Sequence, residues 1–222
     1  MKISILIPVY NEKESIKKII EKVSSLQLEK EVIVIDDGST DGTEEILKSI
    51  CCSDRKLSVI FQSPNKGKGS AIINGLKIAT GEYVVIQDAD LELDPSDIIK
   101  LVHAIDGEHA AIFGSRFLEK KKVSPLSLLA NKFLTVLTNL LFRARLTDME
   151  TCYKLCKREI LTAIGLRSKG FEIEPEITCK ILKRGYRIKE IPVSYNPRKT
   201  GKKIGWIDGF KAIFAILRYR IT

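Results

Sequence analysis

Apolar runs that alternate with amphipathic stretches lay out the first half of the chain. Residues 2–9, KISILIPV, form a continuous apolar run of the kind covered on both faces of a sheet, halted by Pro8. Residues 15–28 then place Ile16, Ile19, Ile20, Val23 and Leu26 at three- and four-residue spacing, which predicts a helix with one face on that sheet. The alternation recurs, with strands over 31–35, 57–61, 83–86 and 110–113. Between them fall a helix capped by Asp41 or Thr40 and helices over 70–79 and 95–105. Strand and helix in turn predict an α/β fold built on a mostly parallel sheet.

Beyond residue 115 the pattern changes. A helix over about 126–142 carries a wide apolar arc, Leu126, Leu129, Phe133, Leu134, Val136, Leu137, Leu140 and Leu141. Only Ser127, Asn131, Thr135 and Thr138 interrupt it, so the arc is broader than packing on a sheet requires. After the stretch 147–155, TDMETCYKL, come a helix over 158–164 and an acidic segment, 170–176, that opens another. A strand over 187–195 and an amphipathic helix over 206–219 close the chain, with Trp206 and Phe210 expected as packing residues. With no internal repeat or linker in its 222 residues, the chain is expected to be one domain, 1–222.

Charge sharpens this division. Residues 1–115 carry 13 Lys and Arg against 19 Asp and Glu, whereas 116–145 carry 7 against 1 and 180–222 carry 12 against 2. An acidic front and a basic back fit a cation site facing a surface for anions, whether phosphates, lipid headgroups or nucleic acid. No apolar run reaches the ~18 residues of a spanning helix, and the first ten residues lack a cleavage site, so a cytoplasmic protein is expected. Five cysteines without scaffold spacing and two histidines predict reduced thiols and no zinc site.

The candidate chemistry lies at strand ends. Asp88, Asp90, Glu92 and Asp94 follow the strand 83–86 at every second position, and Asp36 and Asp37 follow 31–35. Ligands of open α/β sheets bind at such ends, and close carboxylates repel unless protons or a cation neutralise them, which fits Mg²⁺ or Mn²⁺. The plainer alternative is a solvated acidic loop capping the helix that starts near Pro95. The loop 64–69, with Lys66 and Lys68, could meet an anion or be a tight turn; neither a P-loop nor a GxGxxG fingerprint is present.

Taken together, IPVYNE, VIVIDDGSTDGT, NKGKG, DADLE, GSR, TDMETCYK, EPEIT and PRKTGKKIGW, in that order, resemble an inverting family-2 glycosyltransferase. The likeness covers nearly the whole chain and is greatest to the polyprenyl- and dolichyl-phosphate sugar transferases. It implies the GT-A fold, a Rossmann-like sheet flanked by helices, with 1–115 as the nucleotide-sugar half and 116–222 as the acceptor and membrane-surface half. By the same resemblance Pro8, Tyr10, Glu12, Asp36 and Asp37 cradle the nucleotide, with Asp37 accepting from base or ribose. Lys68, Asp88, Ala89 and Asp90 join the donor site, and Asp88, Asp90 and Glu92 hold the metal. Arg116, Asp148, Arg198 and Lys203 are carried over as catalytic positions beside Asp90, with Arg198 and Lys203 closing on phosphates. One departure stands out: Cys152 replaces the glycine of the D-x-x-x-G-[FY]-K motif.

The implied reaction is metal-dependent transfer of a hexose from a GDP- or UDP-sugar to a polyprenyl or dolichyl phosphate. A hydroxyl acceptor would need a base, for which Asp148 or an acid within 172–176 stands available; a phosphate monoester, with a second pKa of about 6, needs none. Transfer to a glycan or protein hydroxyl is the alternative, and a non-catalytic module for anionic ligands or nucleic acid is the rival of another class. Nucleic acid is disfavoured because the basic residues keep company with apolar helices rather than stacking aromatics. The expected partners are the donor, the lipid phosphate and the membrane's cytoplasmic face, held peripherally; a separate membrane subunit or a homo-oligomer is left open.

Overall fold

The computed structural model describes residues 1–53, 57–119, 125–198 and 205–221. Among them, seven strands form one sheet: β1 (Ile3–Val9), β2 (Lys30–Asp36), β3 (Leu57–Phe61), β4 (Tyr83–Ile86), β5 (Ala111–Ser115), β6 (Lys154–Lys157) and β7 (Ile188–Pro192). Their order is β3-β2-β1-β4-β6-β5-β7. Every pairing is parallel except those of β6, which runs antiparallel to both β4 and β5. The helices are α1 (Ile16–Ser25), α2 (Thr43–Ser53), α3 (Lys68–Ile78), α4 (Asp97–His103), α5 (Pro125–Phe142), α6 (Arg158–Ala163), α7 (Ile173–Lys183) and α8 (Trp206–Ile221).

The apolar runs became strands because each supplies residues for both faces of the sheet. All seven residues of β1 are buried, as are all four of β4. α1 seals one face with Ile16, Ile19, Ile20 and Val23, the positions its spacing predicted. Asp41 does cap α2: its Oδ1 accepts the Thr43 amide at 3.0 Å.

Two features differ from the sequence reading, and a third decides what it left open. β6 was not foreseen, because KLCK has no apolar run, and its insertion separates β4 from β5. The strand expected over 187–195 ends at Pro192. The third concerns α5, which is turned inside out. Its polar stripe faces the protein, with Asn131, Thr135 and Thr138 buried, while Leu129 (67% exposed), Phe133, Val136 and Leu140 (75%) face outward. The stripe is used: Thr135 Oγ1 accepts the Met149 amide at 3.1 Å, and Asn139 exchanges two 2.8 Å hydrogen bonds with the backbone of Leu146.

A second core, apart from the sheet, gathers Leu134, Leu146, Met149, Cys179, Ala212, Ala215, Ile216 and Tyr219 from α5, α7, α8 and the 146–149 segment. Small residues of α8 turn inward, which leaves Ile207, Phe210 (71%), Phe214, Leu217 and Ile221 exposed. Phe210 is therefore not the packing residue expected of it, and the side chain of Trp206 lies outside the described residues. No described helix is long and apolar enough to cross a membrane.

The start of α3 meets the 168–170 loop at backbone distance. The Ser70 amide donates to the Lys169 carbonyl at 3.0 Å, and a Cβ on Gly67, whose φ is +95°, would lie 2.5 Å from that oxygen. A Cβ on Gly69 would collide with the Ser168 carbonyl. Gly69→Ala should therefore cost about 1–3 kcal/mol in urea unfolding, the range of an overpacked contact, with a matching loss of melting temperature.

Candidate active site

The strand order places a switch point between β1 and β4: from β1 the chain proceeds to β2 and β3 on one side, then returns to β4 on the other. Crevices at the carboxyl ends of strands flanking such a point are where open α/β sheets bind ligands. The residues singled out from sequence at the ends of β1, β2 and β4 converge there.

On the β2 side the acidic pair shapes loops. Asp36 is buried and accepts from the Ser39 hydroxyl at 2.5 Å; burial raises its carboxyl above the ordinary range. Asp37 accepts from Gln62 Nε2 at 2.9 Å and from the amides of Lys66 and Gly67 at 2.8 and 2.7 Å. Both Asp37 oxygens are thus engaged in fixing the 62–67 loop, and a nucleotide contact there would share them. Pro8 is buried within β1, and Tyr10 is exposed just beyond it. Asn11, at φ +50°, accepts the Thr40 amide at 2.8 Å and ties the two strand ends together.

At the end of β4 the carboxylates separate into two groups. Asp88 pairs with Lys68 at 2.7 Å, and Lys68 reaches Glu174 at 2.9 Å. Glu174 also holds the fully buried Lys154 at 2.6 Å, giving a chain of alternating charge from β4 through α3 and α7 to β6. Burial pulls the Lys68 ammonium down, but Asp88 and Glu174 outweigh it and keep it well above its usual value. Burial works against the Asp88 carboxylate, yet Lys68 holds its carboxyl below the usual range. Ala89 is buried between the two groups.

Asp90 and Glu92 turn the other way. Leu91 has φ +62°, unusual for a branched residue, and this tight turn brings both acids to Arg198. The Arg198 amide donates to Glu92 at 2.9 Å, while its guanidinium meets Glu12 at 3.0 Å and Asp90 at 3.6 Å. Burial and the nearby Asp88 and Glu92 carboxylates push the Asp90 carboxyl up to about 6, against the pull of Arg198. Of the expected metal trio, Asp88 thus faces Lys68 while Asp90 and Glu92 face Arg198. Among the described residues, no three His, Cys, Asp or Glu side chains converge to chelate an ion by themselves. The chemistry still fits a divalent cation at Asp90 and Glu92. These acids are short of positive charge, and such ions take one or two carboxylates with phosphate and water completing the shell.

Arg116, after β5, grips Asp148 through Nε at 2.7 Å and Nη2 at 2.8 Å, and its own amide adds a third bond at 3.0 Å. Its guanidinium also lies over the Tyr195 ring, 5.3 Å from the centroid. Asp148 is fully buried, and both of its oxygens are taken up by Arg116, which it orients. Of the acids in 172–176, Glu174 belongs to the ion chain and Glu176 accepts the amides of Arg167 and Ser168. Glu172 accepts the Gly170 amide. Lys203 lies outside the described residues. The sequence reading passed over Lys154 as a site residue, and over Glu190, which accepts the amides of Thr147 and Asp148 at 2.7 and 3.0 Å. The signal for Lys154 was a lone lysine between Tyr153 and Leu155, an apolar setting in which a charge must find a partner.

Known proteins resemble the chain over most of its length. Residues 4–165 match the profile described as glycosyl transferase family 2. The chain is 32% identical to the dolichol-phosphate mannosyltransferase of Pyrococcus furiosus, across 99% of its own length and 62% of that protein's. It is 25% identical to the polyprenol monophosphomannose synthase of Mycolicibacterium smegmatis, across 98% and 86% of the two lengths. Among solved structures it resembles the glucosyl-3-phosphoglycerate synthase of Mycobacterium tuberculosis bound to Mn²⁺, UDP and glucosyl-3-phosphoglycerate, with a TM-score of 0.75. That likeness covers 98% of this chain and 79% of the other at 20% identity, and it is one of fold, the GT-A architecture.

The grip on Arg116 sets an expectation for Asp148→Asn. It should lower stability by about 3–5 kcal/mol in urea unfolding, since a mostly buried guanidinium loses its counter-charge. A base that did no structural work would leave stability unchanged.

Proposed function

The chain belongs to glycosyl transferase family 2, and from that premise we propose that it moves a hexose from a nucleotide-sugar to the phosphate of a polyprenyl or dolichyl lipid, with inversion. The observation that carries the lipid acceptor is the inverted helix α5. Its exposed apolar side faces away from the protein, while its polar side is hydrogen-bonded to the 146–149 segment that carries Asp148 and, through it, Arg116. A lipid tail along α5 and a phosphate near Arg116 suit that arrangement. The two curated relatives, by their names, act on dolichol and polyprenol carriers, which supports the same reading. The chain spans 62% of the first relative's length, so the activity is proposed for this chain on its own residues.

On the donor side, residues at the ends of β1 and β2 receive the nucleotide, and the diphosphate falls beside Asp90 and Glu92. A Mg²⁺ or Mn²⁺ ion held by those two acids would offset charge on the diphosphate as it leaves. The Mycobacterium tuberculosis neighbour was crystallised with Mn²⁺ and UDP, which supports both expectations. Arg198 now stands among Glu12, Asp90 and Glu92; a donor diphosphate offers it anionic oxygens in their place. Arg116, fixed by Asp148, orients the acceptor. No base is required, since a phosphate monoester is already ionised at neutral pH. On this reading the exposed apolar sides of α5 and α8 rest on the cytoplasmic surface of a membrane, and the protein stays peripheral. Lys211, Arg218 and Arg220, all exposed on α8, add roughly 1 kcal/mol each near anionic lipid.

The deciding assay supplies Mg²⁺ or Mn²⁺, a set of UDP- and GDP-hexoses and polyprenyl phosphate, then extracts with solvent. Sugar in the lipid phase is expected, whereas transfer only to soluble hydroxyl acceptors would refute the lipid reading. Asp90→Asn should lower turnover by at least about 10²-fold, since several kcal/mol of charge stabilisation is involved. Because the fold disfavours the ionised Asp90, its melting temperature at pH 7 should stay level or rise. In flotation, the protein should bind anionic vesicles, release at high salt, and lose binding when Lys211, Arg218 and Arg220 become Glu.

A further inference from the structure

One acid near the site has no task in this account. Glu150 is partly exposed, but its Oε1 is enclosed and, among the described residues, has no hydrogen-bond partner. It lies on the short path between the ends of β5 and β4. Two residues before it, Asp148 holds Arg116; two residues after it, the Cys152 thiol meets the Ile86 carbonyl at 3.5 Å. The charges facing it come from every side: Lys154 on β6, Glu174 and the Cys179 thiol on α7, Arg116 after β5, and Asp148 on its own segment.

Those charges balance without it. Asp88 is matched by Lys68, Glu174 by Lys154 and Asp148 by Arg116, so an ionised Glu150 would be a surplus negative charge with no partner. Burial, with repulsion from Glu174 and Asp148, accordingly pushes its carboxyl up to about 7 despite Lys154 and Arg116. A carboxyl that keeps its proton is a donor, and an enclosed donor with no acceptor is incomplete.

The geometry points to Glu150 as a proton-carrying ligand of the acceptor phosphate: its neutral carboxyl donates to a phosphate oxygen beside Arg116, so that acceptor binding takes up a proton. This rests on the lipid-phosphate reading above. A dianion arriving at a cluster already in balance has only Arg116 to favour it, and it repels an ionised Glu150. Protonation removes that repulsion and supplies a hydrogen bond in its place. No covalent bond changes in this step; the proton comes from water on binding and returns to it on release.

Calorimetry with a short-chain prenyl phosphate tests this, run at pH 7.5 in two buffers of different ionisation enthalpy. The monoester is then almost wholly dianionic, so its own titration contributes little. Wild type should take up between about half a proton and one proton per acceptor bound. Its affinity should weaken by up to about tenfold per pH unit above pH 7. Glu150→Gln keeps a donor but cannot titrate; it should still bind, without proton uptake and with affinity flat across that range. Its melting temperature should match wild type near pH 4, where Glu150 is neutral both folded and unfolded, and exceed it by a margin that widens up to about pH 7 and then levels off. Uptake and pH slope unchanged in Glu150→Gln would overturn the assignment. If wild type binds no prenyl phosphate at any pH, the lipid-phosphate reading fails, and this inference with it.

Discussion

A bare carboxylate at the end of a buried strand must find positive charge, and the ion chain from Asp88 through Lys68 and Glu174 to Lys154 meets that need. Four elements depend on it. Lys68 stands in the first turn of α3, where the helix dipole disfavours a cation, so its two acids are what keep it there. Lys154 sits fully buried in a strand, a position open to a charge only because Glu174 and the Thr151 carbonyl receive it. Breaking any link strands a buried charge; the links therefore fix how α3, α7 and β6 meet at the end of β4.

The parts of the fold that a reader of the sequence could see are those encoded locally. β1 through β5 were visible as apolar runs, and α1 as a three- and four-residue spacing, because burial of contiguous residues leaves its mark on contiguous letters. β6 left no such mark. Its first residue is a lysine made acceptable by Glu174, twenty positions further on, and its place between β4 and β5 is a matter of long-range pairing. The acids of the site were likewise visible as letters, but their alliances were not. Nothing local says that Asp88 turns to Lys68 while Asp90, two residues later, turns to Arg198. The inversion of α5 hides for the same reason: periodicity shows that a helix has two faces, and only its neighbours decide which is inward.

The charge asymmetry of the sequence becomes concrete at one contact. Arg198, from the basic back of the chain, lies among Glu12, Asp90 and Glu92 of its acidic front, and the Asn196 amide beside it donates to the Glu92 carbonyl at 2.7 Å. The two halves thus meet through electrostatics at the cleft, while apolar packing joins them elsewhere, where Tyr153, Leu155 and Ile173 enter the core of the sheet. A cleft closed by ion pairs opens at less cost than one closed by side-chain packing.

The hydrogen bonds on the inner side of α5 have a mechanical meaning. Asn139 clamps the helix to Leu146 through two bonds, and Thr135, one turn away, grips the amide of Met149. The helix is in effect a lever whose fulcrum is the clamp and whose load is the segment bearing Asp148. Those bonds run on from the load to Asp148 and, through its two carboxylate contacts, to the guanidinium of Arg116. The same helix thus borders the outside with its apolar side and holds the segment of the Arg116–Asp148 pair with its polar side.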